Sequence, residues 1–150
     1  MNKYISEFVS DEIAITIDIS ATVMDAVNVM TTSRHNYVLV TDNDSTVGIF
    51  TDRDLLNQVT SKKLIPAEVA IRDVMTPSPD TLKTDDYISY AIEKMARHGF
   101  RNIPIKNEAD TTSVLTVWNI MSHLSEILDD AKQTENDKEI VNEITDMGGG

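Results

Sequence analysis

Apolar positions fall into short blocks whose spacing switches between helical and extended, and the set of blocks comes twice. Val23, Val27 and Met30 recur on one face of a helix, and Ile88, Ile92 and Met95 do so further along. After each helix comes a compact apolar run, YVLV at 37–40 and NIPI at 102–105, which predicts a strand. A polar turn follows, TDNDST or KNEADTTS, and then a second strand at 47–51 or 114–117. Short lead-in segments at 13–19 and 80–84 precede the helices, with Ser20 and Asp85 expected as N-caps. A second helix closes each block, beginning near Asp52 or Trp118.

The two blocks are copies. Val38 of the first aligns with Ile103 of the second, an offset of 103 − 38 = 65, and the same offset runs without a gap over about forty positions. Thr16 meets Thr81, Ala26 meets Ala91, Met30 meets Met95 and Thr51 meets Thr116. Elsewhere the residue changes but the apolar type stays, as with Ile17 and Leu82 or Val27 and Ile92. Each copy is a β-α-β-β-α unit of about fifty residues, too small to bury a good core alone. Packing the two sheet-to-sheet, with helices outside and a pseudo-twofold between them, gives an α+β fold that can. The chain then divides into an N-terminal extension 1–12, a first repeat 13–60, a linker 61–79, a second repeat 80–128 and a tail 129–150. Pro66, Pro77 and Pro79 suit a linker with an extended exit. In the acidic tail Ile140, Val141 and Ile144 make a thin apolar stripe that predicts a short helix, with Met147 and the glycines after it frayed.

Charge narrows the function classes. The chain has 13 Lys and Arg against 25 Asp and Glu, a formal net charge of −12, which argues against duplex nucleic acid or an anionic membrane as partner. A small anion remains possible, because a few local arginines outweigh a distant acidic surface. There is no cysteine, so thiolate chemistry and disulfides are excluded. No apolar run approaches the roughly 20 residues of a membrane span, and the first residues lack a signal-peptide core, so a cytoplasmic setting is expected. His35, His98 and His123 have no metal-ligand spacing, and Asp42-Asn43-Asp44 lacks the Gly and Glu of a calcium loop and reads as a turn. There is no P-loop, no dinucleotide GxGxxG and no nucleophile elbow, so no enzyme activity is expected.

VGIFTDRDLL, residues 47–56, closes the first copy, and IRDVMTPSP opens the second. With the strand Arg101-Asn102-Ile103-Pro104-Ile105 and the tandem repeat, these motifs resemble a pair of cystathionine-β-synthase (CBS) domains, a Bateman module. The resemblance covers about residues 13–128. It implies a regulatory module that binds an adenosine ligand (AMP, ADP, ATP or S-adenosylmethionine) in clefts between the repeats, with no metal beyond nucleotide-associated Mg. It also implies a homodimer, and a separately encoded enzyme or transporter as the regulated partner. The alternative is a dimerisation and interaction platform that binds no ligand.

By the same resemblance Asp54 holds the ribose, Thr51 sits near ribose and phosphate, Ile103 and Pro104 offer backbone to the base, and Arg101 reaches phosphate. Arg53, on the turn that carries Asp54, suits phosphate by its forked geometry. Thr, Asp, Arg and Asp at a helix start are equally ordinary capping chemistry. The second copy has Trp118 and Asn119 where the first has Arg53 and Asp54, so its cleft, with His35, Asn36, Val38, Thr116 and Asn119, is expected to be degraded. Trp118 either covers a base or packs on the core, and core packing is the expectation. Ala26 and Ala91 leave room for a purine or simply allow close helix packing, and Met75 and Thr76 also line a cleft.

Overall fold

A computed structural model of the chain describes residues 3–108 and 110–148. It contains two compact units that divide after Thr116. The first unit holds two sheets, in the mixed α+β arrangement expected. One has the order β1 (Thr16–Asp18), β2 (Tyr37–Asp42), β3 (Ser45–Thr51), β4 (Thr76–Pro77). The other has the order β5 (Leu82–Lys83), β6 (Asn102–Lys106), β7 (Thr111–Thr116). Helix α1 (Val23–Ser33) joins β1 to β2, and α3 (Ile88–His98) joins β5 to β6. After β3 the chain turns into α2 (Asp52–Asp54), which continues as a wider π turn over Leu55–Thr60.

The 65-residue offset is also an offset of backbone geometry. It relates α1 to α3 at both ends. In the parallel pairs Ile17 lies opposite Val40 and Leu82 opposite Ile105. In the hairpins Tyr37 faces Thr51 and Asn102 faces Thr116, and both ladders slip at equivalent places, after Val40 and after Ile105. The first hairpin turns at Asn43 and Asp44, both with positive φ, as its tight two-residue connection requires. Both α1 and α3 end in a left-handed residue, Arg34 in one and Gly99 in the other.

Strand β2 is buried on both faces, and its alternation sorts two cores. Val38 and Val40 join Phe50, Val59 and the α1 residues Val23, Ala26 and Met30 on the helical side. Tyr37 and Leu39 face the other way and pack with Ile49, Ala14 and the β7 residue Val114, which joins the two sheets. Thr46 N–H donates to Asp110 Oδ2 at 3.0 Å, a second tie between the hairpins.

Several local expectations change. Thr22, not Ser20, caps α1 in a reciprocal box with Asp25, while Ser20 bonds to Asp18. Tyr87, not Asp85, precedes α3 and provides no side-chain cap. Instead Ile88 N–H donates to Lys3 O at 2.8 Å, so the N-terminal segment closes the helix of the second repeat. Ile5, fully buried, donates to Asp86 O, and the Tyr4 and Tyr87 rings stack at 5.3 Å. The segment between the repeats treats α1 likewise: Val23 N–H donates to Val69 O, and Ile71 and Val74 enter the core of the first repeat. Ala26 and Ala91 are fully buried. Ala26 packs within the helix-side core.

The second unit is one helix, α4 (Val117–Met147). The predicted short tail helix is therefore the end of a single 31-residue helix, and Met147 lies within it; the last two glycines fall outside the described residues. No glycine or proline interrupts the run, so nothing in the sequence stops it. Trp118, expected in the core, is 63% exposed.

Candidate functional site

The β3–α2 junction of the first repeat and the α3–β6 junction of the second face each other across a cavity of about 160 Å³. Thr51, Arg53 and Asp54 line it from one side, and Gly99, Phe100, Arg101, Asn102 and Pro104 from the other. Ile49 of β3 with Thr76, Pro79 and Asp80 completes the lining, because β4 pairs beside β3 and brings the linker to the site. Gly48 permits that pairing. A Cβ there would lie 2.5 Å from Met75 Sδ and 3.1 Å from Thr76 O.

Thr51 ends β3 and caps α2. Its hydroxyl accepts from Asp54 N–H, and Asp54 Oδ2 accepts in return from Thr51 N–H at 3.0 Å. Thr76 Oγ1 donates to Asp54 Oδ1 at 3.4 Å, so that oxygen keeps further acceptor capacity. Burial raises the Asp54 carboxyl above the ordinary carboxylate value, against the lowering effect of the Thr51 backbone, the Thr51 and Thr76 hydroxyls and the Arg53 charge. The capping and cavity roles read from the sequence fall on one side chain.

Both arginines of the cavity have protein partners. Arg53 Nη1 donates to Gly99 O at 3.0 Å, and Arg101 pairs through both terminal nitrogens with the Asp52 carboxylate. Phe100 stands beside the cavity with its ring stacked on His98 at 5.2 Å. Asn102 Oδ1 is enclosed and has no hydrogen-bond partner among the described residues. An orphan acceptor of this kind costs about 1–3 kcal/mol.

Of the residues singled out from the sequence, Thr51, Arg53, Asp54, Arg101 and Pro104 thus line one cavity, with Thr76. Ile103 does not line it. Strand alternation puts Asn102 and Pro104 on the cavity face and buries Ile103 on the other. The residues of the expected second cleft do not line this cavity. Val38 is fully buried in the helix-side core, Asn36 O accepts from Asp52 N–H, and the His35 ring lies 5.4 Å from Tyr37. Thr116 ends β7 opposite Asn102, and Asn119 stands in the first turn of α4. The sequence reasoning missed Ile49, Pro79, Asp80, Gly99, Phe100 and Asn102 as lining. An aromatic residue just before the proline-bearing strand was the available signal for Phe100. Among the described residues no group of three or more His, Cys, Asp or Glu side chains is placed to hold a metal ion, and no helix is long and apolar enough to cross a membrane.

The sequence profile of the CBS domain matches residues 5–61 and again residues 71–126. The chain belongs to the CBS-domain family. A CBS domain-containing protein of Arabidopsis thaliana, CBSCBSPB2, is 31% identical over 105 residues, 69% of this chain but 20% of its own length. The chain thus spans about a fifth of the length of that curated relative. Among solved structures, the CBS domain protein PAE2072 of Pyrobaculum aerophilum, complexed with AMP, superposes with a TM-score of 0.73 at 20% identity, covering 87% of this chain and 99% of that one. The CBS domain pair of protein MJ0100, in complex with 5-methylthioadenosine and S-adenosyl-L-methionine, also gives 0.73, at 18% identity over 84% and 98% of the two chains. At these identities the likeness is one of fold.

Proposed function

We propose that this CBS pair is a regulatory module that binds an adenosine ligand (AMP, ADP, ATP or S-adenosylmethionine) in the Asp54 cavity and has no catalytic activity of its own. The observation that carries this is the convergence of Thr51 and Asp54 from one repeat with Arg101, Asn102 and Pro104 from the other on one cavity. Asp54 presents a carboxylate oxygen to the ribose diol. The adenosine compounds bound by two proteins of the same fold support the ligand class. Because the cavity is lined from both repeats, a ligand that fits one arrangement of the repeats better than another shifts the balance between them and passes a signal to a partner.

The module acts as a homodimer in the cytoplasm. Support for self-association comes from apolar side chains left open at equivalent places of the repeats, Leu56 at 60% and Met121 at 54% exposure. Sedimentation at micromolar concentration gives a dimer, and a monomer there removes this part of the proposal.

A second reading, a ligand-free interaction platform, is favoured by one observation: both cavity arginines are already engaged by protein acceptors. Calorimetric titration with AMP, ADP, ATP and S-adenosylmethionine, on the native protein and on Asp54→Ala, separates the two. Saturable binding near one site per chain that the variant loses supports the sensor. No heat from any of the four, with a folded protein, leaves the platform.

A further inference from the structure

The cavity holds no surplus of positive charge. Its two cationic lining residues, Arg53 and Arg101, are matched by two acidic ones, Asp54 and Asp80. Asp52, just behind the lining, adds a third carboxylate, and it grips Arg101 with both oxygens. Paired, fork-to-carboxylate contacts of this kind are the stronger sort of ion pair and fix the guanidinium plane. Asp52 is itself held: its Oδ1 accepts from Arg53 N–H at 2.8 Å, and its own N–H donates to Asn36 O at 3.1 Å. Arg101 therefore does not wait for a phosphate. It is oriented by a carboxylate from 49 residues earlier in the chain.

We infer that Asp52 is a specificity-determining residue of this cavity, one that makes it favour adenosine ligands of low negative charge over nucleoside triphosphates. The inference rests on the adenosine-ligand reading given above. A phosphate that reaches Arg101 shares or competes for a guanidinium whose charge Asp52 already offsets, and that carboxylate stands close to the incoming anion. Each further phosphate adds charge to a region where Asp52, Asp54 and Asp80 already repel it, and the attraction of the arginine is offset by its carboxylate partner. A nucleoside, or an adenosyl compound carrying a compensating positive charge, binds without competing for the pair. A monophosphate competes once, and a triphosphate meets the full repulsion.

The test is the ratio of ATP to adenosine affinity, measured by titration in one buffer of fixed ionic strength for the native protein, Asp52→Asn, and Asp52→Asn combined with Arg101→Gln. Asparagine keeps one acceptor for Arg53 N–H while it removes the charge and the second oxygen that grips Arg101, and thermal melts report that each variant is folded. In the native protein AMP binds at least tenfold more tightly than ATP. In Asp52→Asn the ATP-to-adenosine ratio rises about tenfold, and adding Arg101→Gln takes that rise away. ATP binding as tightly as AMP to the native protein, or a ratio that Asp52→Asn leaves where it was, overturns the inference while the adenosine site stands. If neither adenosine nor any nucleotide binds to any of the three, the adenosine reading itself falls and this inference falls with it.

Discussion

Asp54 Oδ2 accepts hydrogen bonds from both the backbone N–H and the hydroxyl of Thr51, at 3.0 and 3.3 Å, while Thr51 caps the helix that carries Asp54. The pair is locked before any ligand arrives. That preorganisation lowers the ordering cost of binding, and it means that variants at either residue report on folding and on the cavity together.

Thr51→Ala removes the cap and half of the reciprocal box. It is expected to lower stability by about 1 kcal/mol, in the usual range for an N-cap. Urea unfolding measures this. Adenosine-ligand affinity falls as well, because Asp54 loses the hydroxyl that holds its carboxylate in place.

Burial raises the Asp54 carboxyl above its ordinary value, which gives two opposite pH dependences. The folded chain takes up this proton more readily than the unfolded chain. The contribution of Asp54 to stability therefore grows as pH falls through the raised folded value, is complete below the unfolded one, and is lost as pH rises. Ligand affinity runs the other way, since protonation removes the ribose acceptor. Relative to Asp54→Asn, the native protein gains stability and loses affinity on acidification. Denaturation and titration across the acid range check both signs, and parallel curves for the two proteins would remove Asp54 as the titrating group.

Gly48→Ala places a methyl group against Met75 Sδ and Thr76 O, where β3 meets β4. Overpacking of this kind costs about 1–3 kcal/mol. The displaced strand takes Thr76 away from Asp54, so ligand affinity weakens although Gly48 does not line the cavity. A stability loss with unchanged affinity would show that β4 does not position the site.

Ile5→Ala deletes a fully buried side chain from the segment that closes α3. The cost expected is about 2–5 kcal/mol, comparable with a core deletion in the repeats themselves. Hydrogen exchange is expected to quicken at Ile88, whose N–H is held by Lys3 O. A change within 0.5 kcal/mol, the size usual at surface positions, would mean that the N-terminal segment is an ornament.

The motif residues of the site were legible because they are local. Thr51 and Asp54 lie three apart at a strand-to-helix junction, Arg101 immediately precedes one short strand and Pro104 lies within it; the structure brings all four to one cavity. Asp52 was visible only as a capping charge. Nothing in the residues around it signals a partner 49 positions later, so the ion pair with Arg101 was out of reach. The N-cap of α3 was misplaced for a similar reason. Asp85 is a good capping residue, but a backbone carbonyl from Lys3 does that work for α3.

The sequence by itself determined the doubled unit, its strands and helices, the hairpin turn at Asn43 and Asp44, and the 65-residue offset that the ladders reproduce down to their slips. Those features follow from periodicity and turn chemistry, which act over a few residues and leave a mark in composition. Tertiary structure alone decided which lead-in covers which repeat. The N-terminal segment serves the second helix, and the linker serves the first and supplies a strand and Thr76 to the site. An apolar segment such as residues 5–8 or 71–74 fits either repeat by pattern. Only the three-dimensional path of the chain selects the surface it buries.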